Sequence, residues 1–137
     1  MRQLLVKSLA GSGLLLMTLT ASGQWYPRPD YRYTISQDGR EAREQSRVFD
    51  RAQGDLDQAH SVSLPFTDDR NRIIAAQAQV GECQRLVASG EYSRRQLDEA
   101  IIAVQRVADM NRMSDRNRDS LRDDVRDMQQ LQSLLEG

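Results

Sequence analysis

From Ile73 to Val87 the apolar side chains fall at Ile73, Ala76, Val80, Cys83 and Val87, in steps of three, four, three and four. That alternation holds one stripe on a single side of an α-helix and matches the a/d seam of helices that pack together. In a strand the same residues would be split between both faces, because side chains there alternate with period two. The segment is therefore an amphipathic helix that needs partner helices, and the rest of the chain offers them.

An earlier stripe runs through Ala42, Phe49, Ala52, Leu56 and Ala59, thin and interrupted by Gly54. Asp38 and Glu41 stand at N-cap and N3 positions before it, and Ser61–Phe66 with Pro65 breaks the chain after it. Thr67 is placed to cap the second helix, with Asp68 and Asp69 in its first turn, and Ser89-Gly90 to stop it. Ser93 and Gln96 form a capping-box pair, with Tyr92 and Leu97 at the hydrophobic-staple positions. The third helix then shows a broad face of Leu97, Ala100, Ile101, Val104, Val107 and Ala108, which predicts a central position and an end near Asn111. Ser114 caps a fourth helix with Leu121, Val125, Met128, Leu131 and Leu135 on one side. The short connections at 90–92 and 111–114 make neighbours antiparallel. The expected fold class is all-α, a small antiparallel bundle of about four helices over residues 38–137. No segment alternates with period two for long enough to predict a strand.

Residues 1–23 read as a signal peptide. Arg2 and Lys7 precede an apolar run from Leu9 to Leu19, and Ala21-Ser22-Gly23 sets small residues before Gln24. Ser8 to Ala21 is uncharged but falls short of the roughly 20 residues that span a bilayer, so no stable transmembrane anchor is expected after cleavage. The expected location is periplasmic or extracellular. Residues 24–37 follow as an extended arm. QWYPRPDYRY, residues 24–33, holds Trp25, Tyr26, Tyr31 and Tyr33, four of the chain's seven aromatics, around Pro27 and Pro29. With Arg28 and Arg32 they make a strip suited to stacking and cation–π contact. These four are the candidate partner-binding residues, and packing of the arm back onto the thin first helix is the competing expectation.

The catalytic repertoire is sparse. His60 is the only histidine and Cys83 the only cysteine, so neither a two-histidine metal motif nor a CxxC pair exists. Asp115-x-Asn117-x-Asp119 begins like a calcium loop, but Ser120 stands where glycine is needed and Arg126 where a bidentate glutamate belongs. Asp115, Asp119, Asp123 and Asp127 recur every four residues with Arg118, Arg122 and Arg126 between them, a lacing of solvated ion pairs. Arg40, Arg43, Arg47 and Arg51 form a basic row on the first helix, locally offset by Glu44, Asp50 and Asp55. No cofactor, metal or catalytic residue is expected. Cys83 either packs inertly or pairs with a second chain in a homodimer. The net charge of −1, which becomes −3 without Arg2 and Lys7, disfavours nucleic acid.

The stretch LDEAIIAVQRVADMNRMSDRNRDSLRDDVRDMQQL, residues 97–131, with VFDRAQGDLDQA further upstream, resembles secreted α-helical proteins of environmental bacteria. They share a helix, a short Asn/Ser turn and an Arg- and Asp-rich helix. The resemblance implies an exported bacterial protein and brings no activity or catalytic residue with it. The expected function is a non-catalytic helical protein that binds protein or cell-envelope surfaces. The alternative is a small envelope hydrolase using paired carboxylates.

Overall fold

The computed structural model describes residues 32–34 and 39–137. Its elements are β1 (Arg32–Thr34), α1 (Gly39–Val62), α2 (Asp68–Ala88), β2 (Glu91–Ser93), α3 (Arg94–Met110) and α4 (Asp115–Glu136). The predicted signal peptide, the Asp38 cap and most of the arm lie outside the described residues. Extensive packing runs from α1 to α2, α2 to α3, α3 to α4 and α4 back to α1, so the helices stand at the corners of a square. The broad apolar face of α3 meets both neighbours from one corner, not from the centre that its breadth predicts.

The stripes form the core. Phe49, Ala52, Leu56 and Ala59 of α1 face Ile73, Ala76, Val80 and Cys83 of α2 in one buried cluster. Leu97, Val104 and Val107 of α3 and Leu121, Val125 and Met128 of α4 complete it. Each large side chain buried this fully contributes roughly 1.5–3 kcal/mol relative to exposure. Ala42 and Leu135, the outermost members of their stripes, are only half-buried.

The helix ends follow local chemistry. Thr67, Ser93 and Ser114 are the N-caps of α2, α3 and α4, each accepting a hydrogen bond from the amide three residues on. Gly90 ends α2 at φ 76°, a conformation in which glycine carries no Cβ penalty. The capping box at α3 is only half made. Ser93 Oγ accepts from Gln96 N at 3.1 Å, but the Gln96 side chain turns to Gln79 of α2. Tertiary pairing outcompetes the local return bond. Ser93→Ala is expected to lower stability by about 1 kcal/mol, read as a fall in the urea midpoint, with Ser93→Gly costing only a few tenths.

The structure corrects the strand-free expectation in one place. β1 pairs antiparallel with β2 in a three-residue ladder, with Tyr33 opposite Tyr92. Strands this short show no period in the sequence, because non-local pairing decides them. The ladder closes the end of the bundle where α3 begins and α4 ends. There the Tyr92 hydroxyl and Arg94 Nε both reach Glu136, at 3.3 and 3.2 Å. Among the described residues no helix is long and apolar enough to cross a membrane.

Candidate functional site

Three features stand apart from core packing: a buried acid, a groove and an exposed tip. Asp124 is fully buried on the inner face of α4, one position before Val125. Its Oδ1 accepts from Arg51 Nε of α1 at 2.9 Å. Its Oδ2 has no hydrogen-bond donor among the described residues. The carboxyl is pushed up to about 6, first by burial and further by the neighbouring Asp55 carboxyl, against the downward pull of the Arg51 hydrogen bond. Arg51 also pairs with Asp127 through a terminal nitrogen. One guanidinium thus holds two carboxylates of α4 to α1, and Asp55 is close enough to accept a hydrogen bond from Asp124 when that carboxyl is protonated. The basic row of α1 therefore has a structural member. Sequence reasoning passed over Asp124, although it sits at the three-four spacing of Leu121, Val125 and Met128, where an apolar residue is expected.

The second feature is a groove of about 470 Å³ between the first turns of α1 and the last turns of α4. Val48, Leu131, Leu134 and Leu135 make its apolar surface, and Glu41, Glu44 and Asp127 stand around it. Gln45 also lines it. Gln45 is only 9 % exposed, and its Oε1 has no donor among the described residues.

The third feature lies at the opposite end. Val62 at the end of α1 and Leu64 and Phe66 in the α1–α2 connection are all exposed, and so is Met110 at the end of α3. Phe66 stands completely clear of the fold, at φ 59°. Positive φ is a genuine outlier for a bulky side chain, since Cβ crowds the backbone. The base beneath it is well tied. Asn111 Nδ2 donates to the Asp69 carbonyl at 2.8 Å, and Asn111 Oδ1 accepts from Arg72 Nε at 2.7 Å. The amide of Arg112 donates to Asp69 Oδ2 at 2.9 Å. Thr67 Oγ1 donates to the Leu64 carbonyl at 2.8 Å within the loop. The sequence showed Pro65 and a chain break here; the outward aim of Phe66 follows from the φ it adopts.

The residues singled out from sequence are scattered. Trp25, Tyr26 and Tyr31 lie outside the described residues, and Tyr33 is placed by its backbone in β1. Cys83 faces the core at 4 % exposure, where burial, then the charges of Glu82 and Glu99, push its thiol up to about 12. A link to a second chain through this sulfur would require the bundle to open. Ellman's reagent is expected to react slowly with the native protein and completely in denaturant; immediate stoichiometric reaction would contradict the packing. His60 closes the last turn of α1, eleven residues and about 16 Å along the axis from Phe49, which packs beside Cys83. The two are not brought together. Asp115, Asn117 and Asp119 all lie within α4, not in a loop. Two of the expected α4 pairs form, Arg118 with Asp115 and Arg126 with Asp123, while Arg122 instead reaches Asp109 of α3 at 3.5 Å. Comparison with protein-family models, curated proteins and solved structures returned no match.

Proposed function

We propose that this chain is an exported, non-catalytic helical bundle that binds a protein or cell-envelope surface through its Val62–Phe66 tip. The observation that carries the reading is Phe66, a fully exposed aromatic held at positive φ on a hydrogen-bonded base. A conformation that costs on the order of 1–3 kcal/mol and presents an apolar ring to water has no folding benefit, and such strain concentrates at binding sites. Val62 and Leu64, exposed and close together at the same end, add apolar surface of the kind that marks an interaction site. Export rests on the pattern of residues 1–23. The hydrolase alternative draws no support from Asp55 and Asp124, because Asp124 is sealed between α1 and α4, where a substrate bond has no access.

The test is a substitution that separates binding from folding. Phe66→Gly removes the ring and suits the positive φ, so the melting temperature is expected to hold or rise slightly. Co-sedimentation of the full chain with an envelope fraction is expected to drop several-fold in the variant. Equal retention of both proteins would overturn the reading.

A further inference from the structure

The groove between α1 and α4 is incompletely satisfied in a specific way. Its leucines and Val48 are apolar, yet Leu134 is 72 % exposed. Gln45 is nine-tenths buried with an acceptor that lacks a donor among the described residues. A buried amide oxygen left in that condition costs on the order of 1–3 kcal/mol, so an occupant with an N–H to offer is favoured. Glu41 and Glu44 make no ion pair with a described residue, and among the described residues no base lines the groove. The chemistry asked for is therefore an apolar, aromatic segment with N–H donors and a positive charge.

One segment of this chain has that chemistry and begins at the right place. β1 starts at Arg32, opposite Ser93, and the next residue, Arg94, is tied to Glu136 at the end of α4. Leu134 and Leu135 lie within one turn of that glutamate. Arg32 thus stands at the end of the bundle where the groove opens. Residues 24–31 number eight and reach about 26 Å when extended. The α4 side of the groove, Asp127 to Leu135, is about 12 Å long. The segment offers Trp25, Tyr26 and Tyr31 to the leucines, and the Trp25 indole N–H and Arg28 guanidinium to Gln45 and the glutamates. Residues 24–31 carry Arg28 and Asp30, Arg32 at the start of β1 adds a second positive charge, and Glu41 and Glu44 are the groove carboxylates that Arg51 does not hold.

We propose that the α1/α4 groove is the seat of this chain's own residues 24–31. The aromatic arm then covers the groove and leaves the tip at the far end as the surface free for a partner. This assignment stands independently of the reading of Phe66.

Trp25 is the only tryptophan, so its fluorescence in the full chain reports on the arm alone. The wild-type chain is expected to show blue-shifted emission and protection from acrylamide. Leu134→Glu changes a side chain that is mostly in solvent and puts a like charge beside Glu41 and Glu44. It is expected to red-shift the emission and raise quenching several-fold while helicity and the melting temperature stay level. Val48→Glu, from the α1 side, is expected to give the same red shift and quenching with some loss of melting temperature, because Val48 packs on the core, and Phe66→Gly to change nothing. Fully exposed Trp25 emission in the wild type overturns the proposal, as does protection indifferent to both groove variants. Protection lost on dilution together with a dimer in sedimentation overturns it too, by placing the arm of a second copy in the groove.

Discussion

Arg51→Met is expected to lose about 3–5 kcal/mol of stability at pH 7 and markedly less at pH 5. The arginine is itself half exposed, and an ordinary surface ion pair at such a site is worth no more than about 1 kcal/mol. What makes the loss large is the partner. Asp124 is fully buried, has no donor to Oδ2 among the described residues, and has the Asp55 carboxyl beside it. Without Arg51 its negative charge has no compensation, and a buried charge stripped of its partner is among the largest single-site penalties. The pH dependence follows from the direction of the shift. The carboxyl titrates near 6 in the folded chain against 3.8 when solvated, so the folded form holds more protons between those values. The stabilisation linked to Asp124 is therefore complete below about pH 4 and lost as pH rises through 6, a change of up to ~3 kcal/mol. In Arg51→Met the titration moves higher still, so acid relieves much of the damage. Asp124→Asn in the Arg51→Met background is expected to recover most of the loss at pH 7, because the amide brings no charge. Urea midpoints of the wild type, Arg51→Met, Asp124→Asn and the double variant at pH 5 and pH 7 give the coupling directly. A cost for Arg51→Met that is equal at both pH values, or that survives in the double variant, would remove the buried charge as its cause.

The same pair shows where sequence reading reached its limit. Apolar stripes announce which face of each helix is inside, and hydroxyl residues followed by helix-forming runs announce where helices start. Thus Thr67, Ser93 and Ser114, with the seam from Ile73 to Val87, were enough to describe three helix starts and a core face. A polar residue on an apolar stripe reads instead as a gap in it. Asp124 and Gln45 both sit on stripe positions, Gln45 four residues before Phe49, and both are buried. Their placement depends on what the neighbouring helix brings: Arg51 for the first, the α4 leucines for the second. Charge spacing along one helix likewise says which ions are adjacent, not which are claimed by another helix. Arg122 and Asp127 belong to the regular α4 pattern, yet they pair with α3 and α1. The ladder between Arg32–Thr34 and Glu91–Ser93 joins segments nearly sixty residues apart and has no local signature.

Leu56→Ala is expected to cost about 2–5 kcal/mol, enough to remove a large part of the ~5–15 kcal/mol that holds a domain of this size. The reason lies in the thinness of the α1 stripe. Ala52 and Ala59 flank Leu56 on that face, and alanines have no side-chain length with which to fill a vacated site. Phe49 is the other large apolar group of the helix that is fully inside. Opposite stand residues already in close-packed positions, Ile73 and Val80 among them, so the bundle can collapse toward the cavity only by moving α1 as a whole. Such movement would drag Arg51 away from Asp124, which couples the apolar and ionic halves of the α1–α4 contact. The cavity penalty and the ion-pair penalty are then not independent. Leu56→Ala with Arg51→Met should lose less than the sum of the two single losses, whereas Ile102→Ala, at an exposed site on α3, should change the unfolding free energy by no more than about a few tenths of a kcal/mol and add simply. Strict additivity of the Leu56 and Arg51 losses would mean that α1 tolerates the cavity without shifting, and that the buried acid is held by local geometry alone.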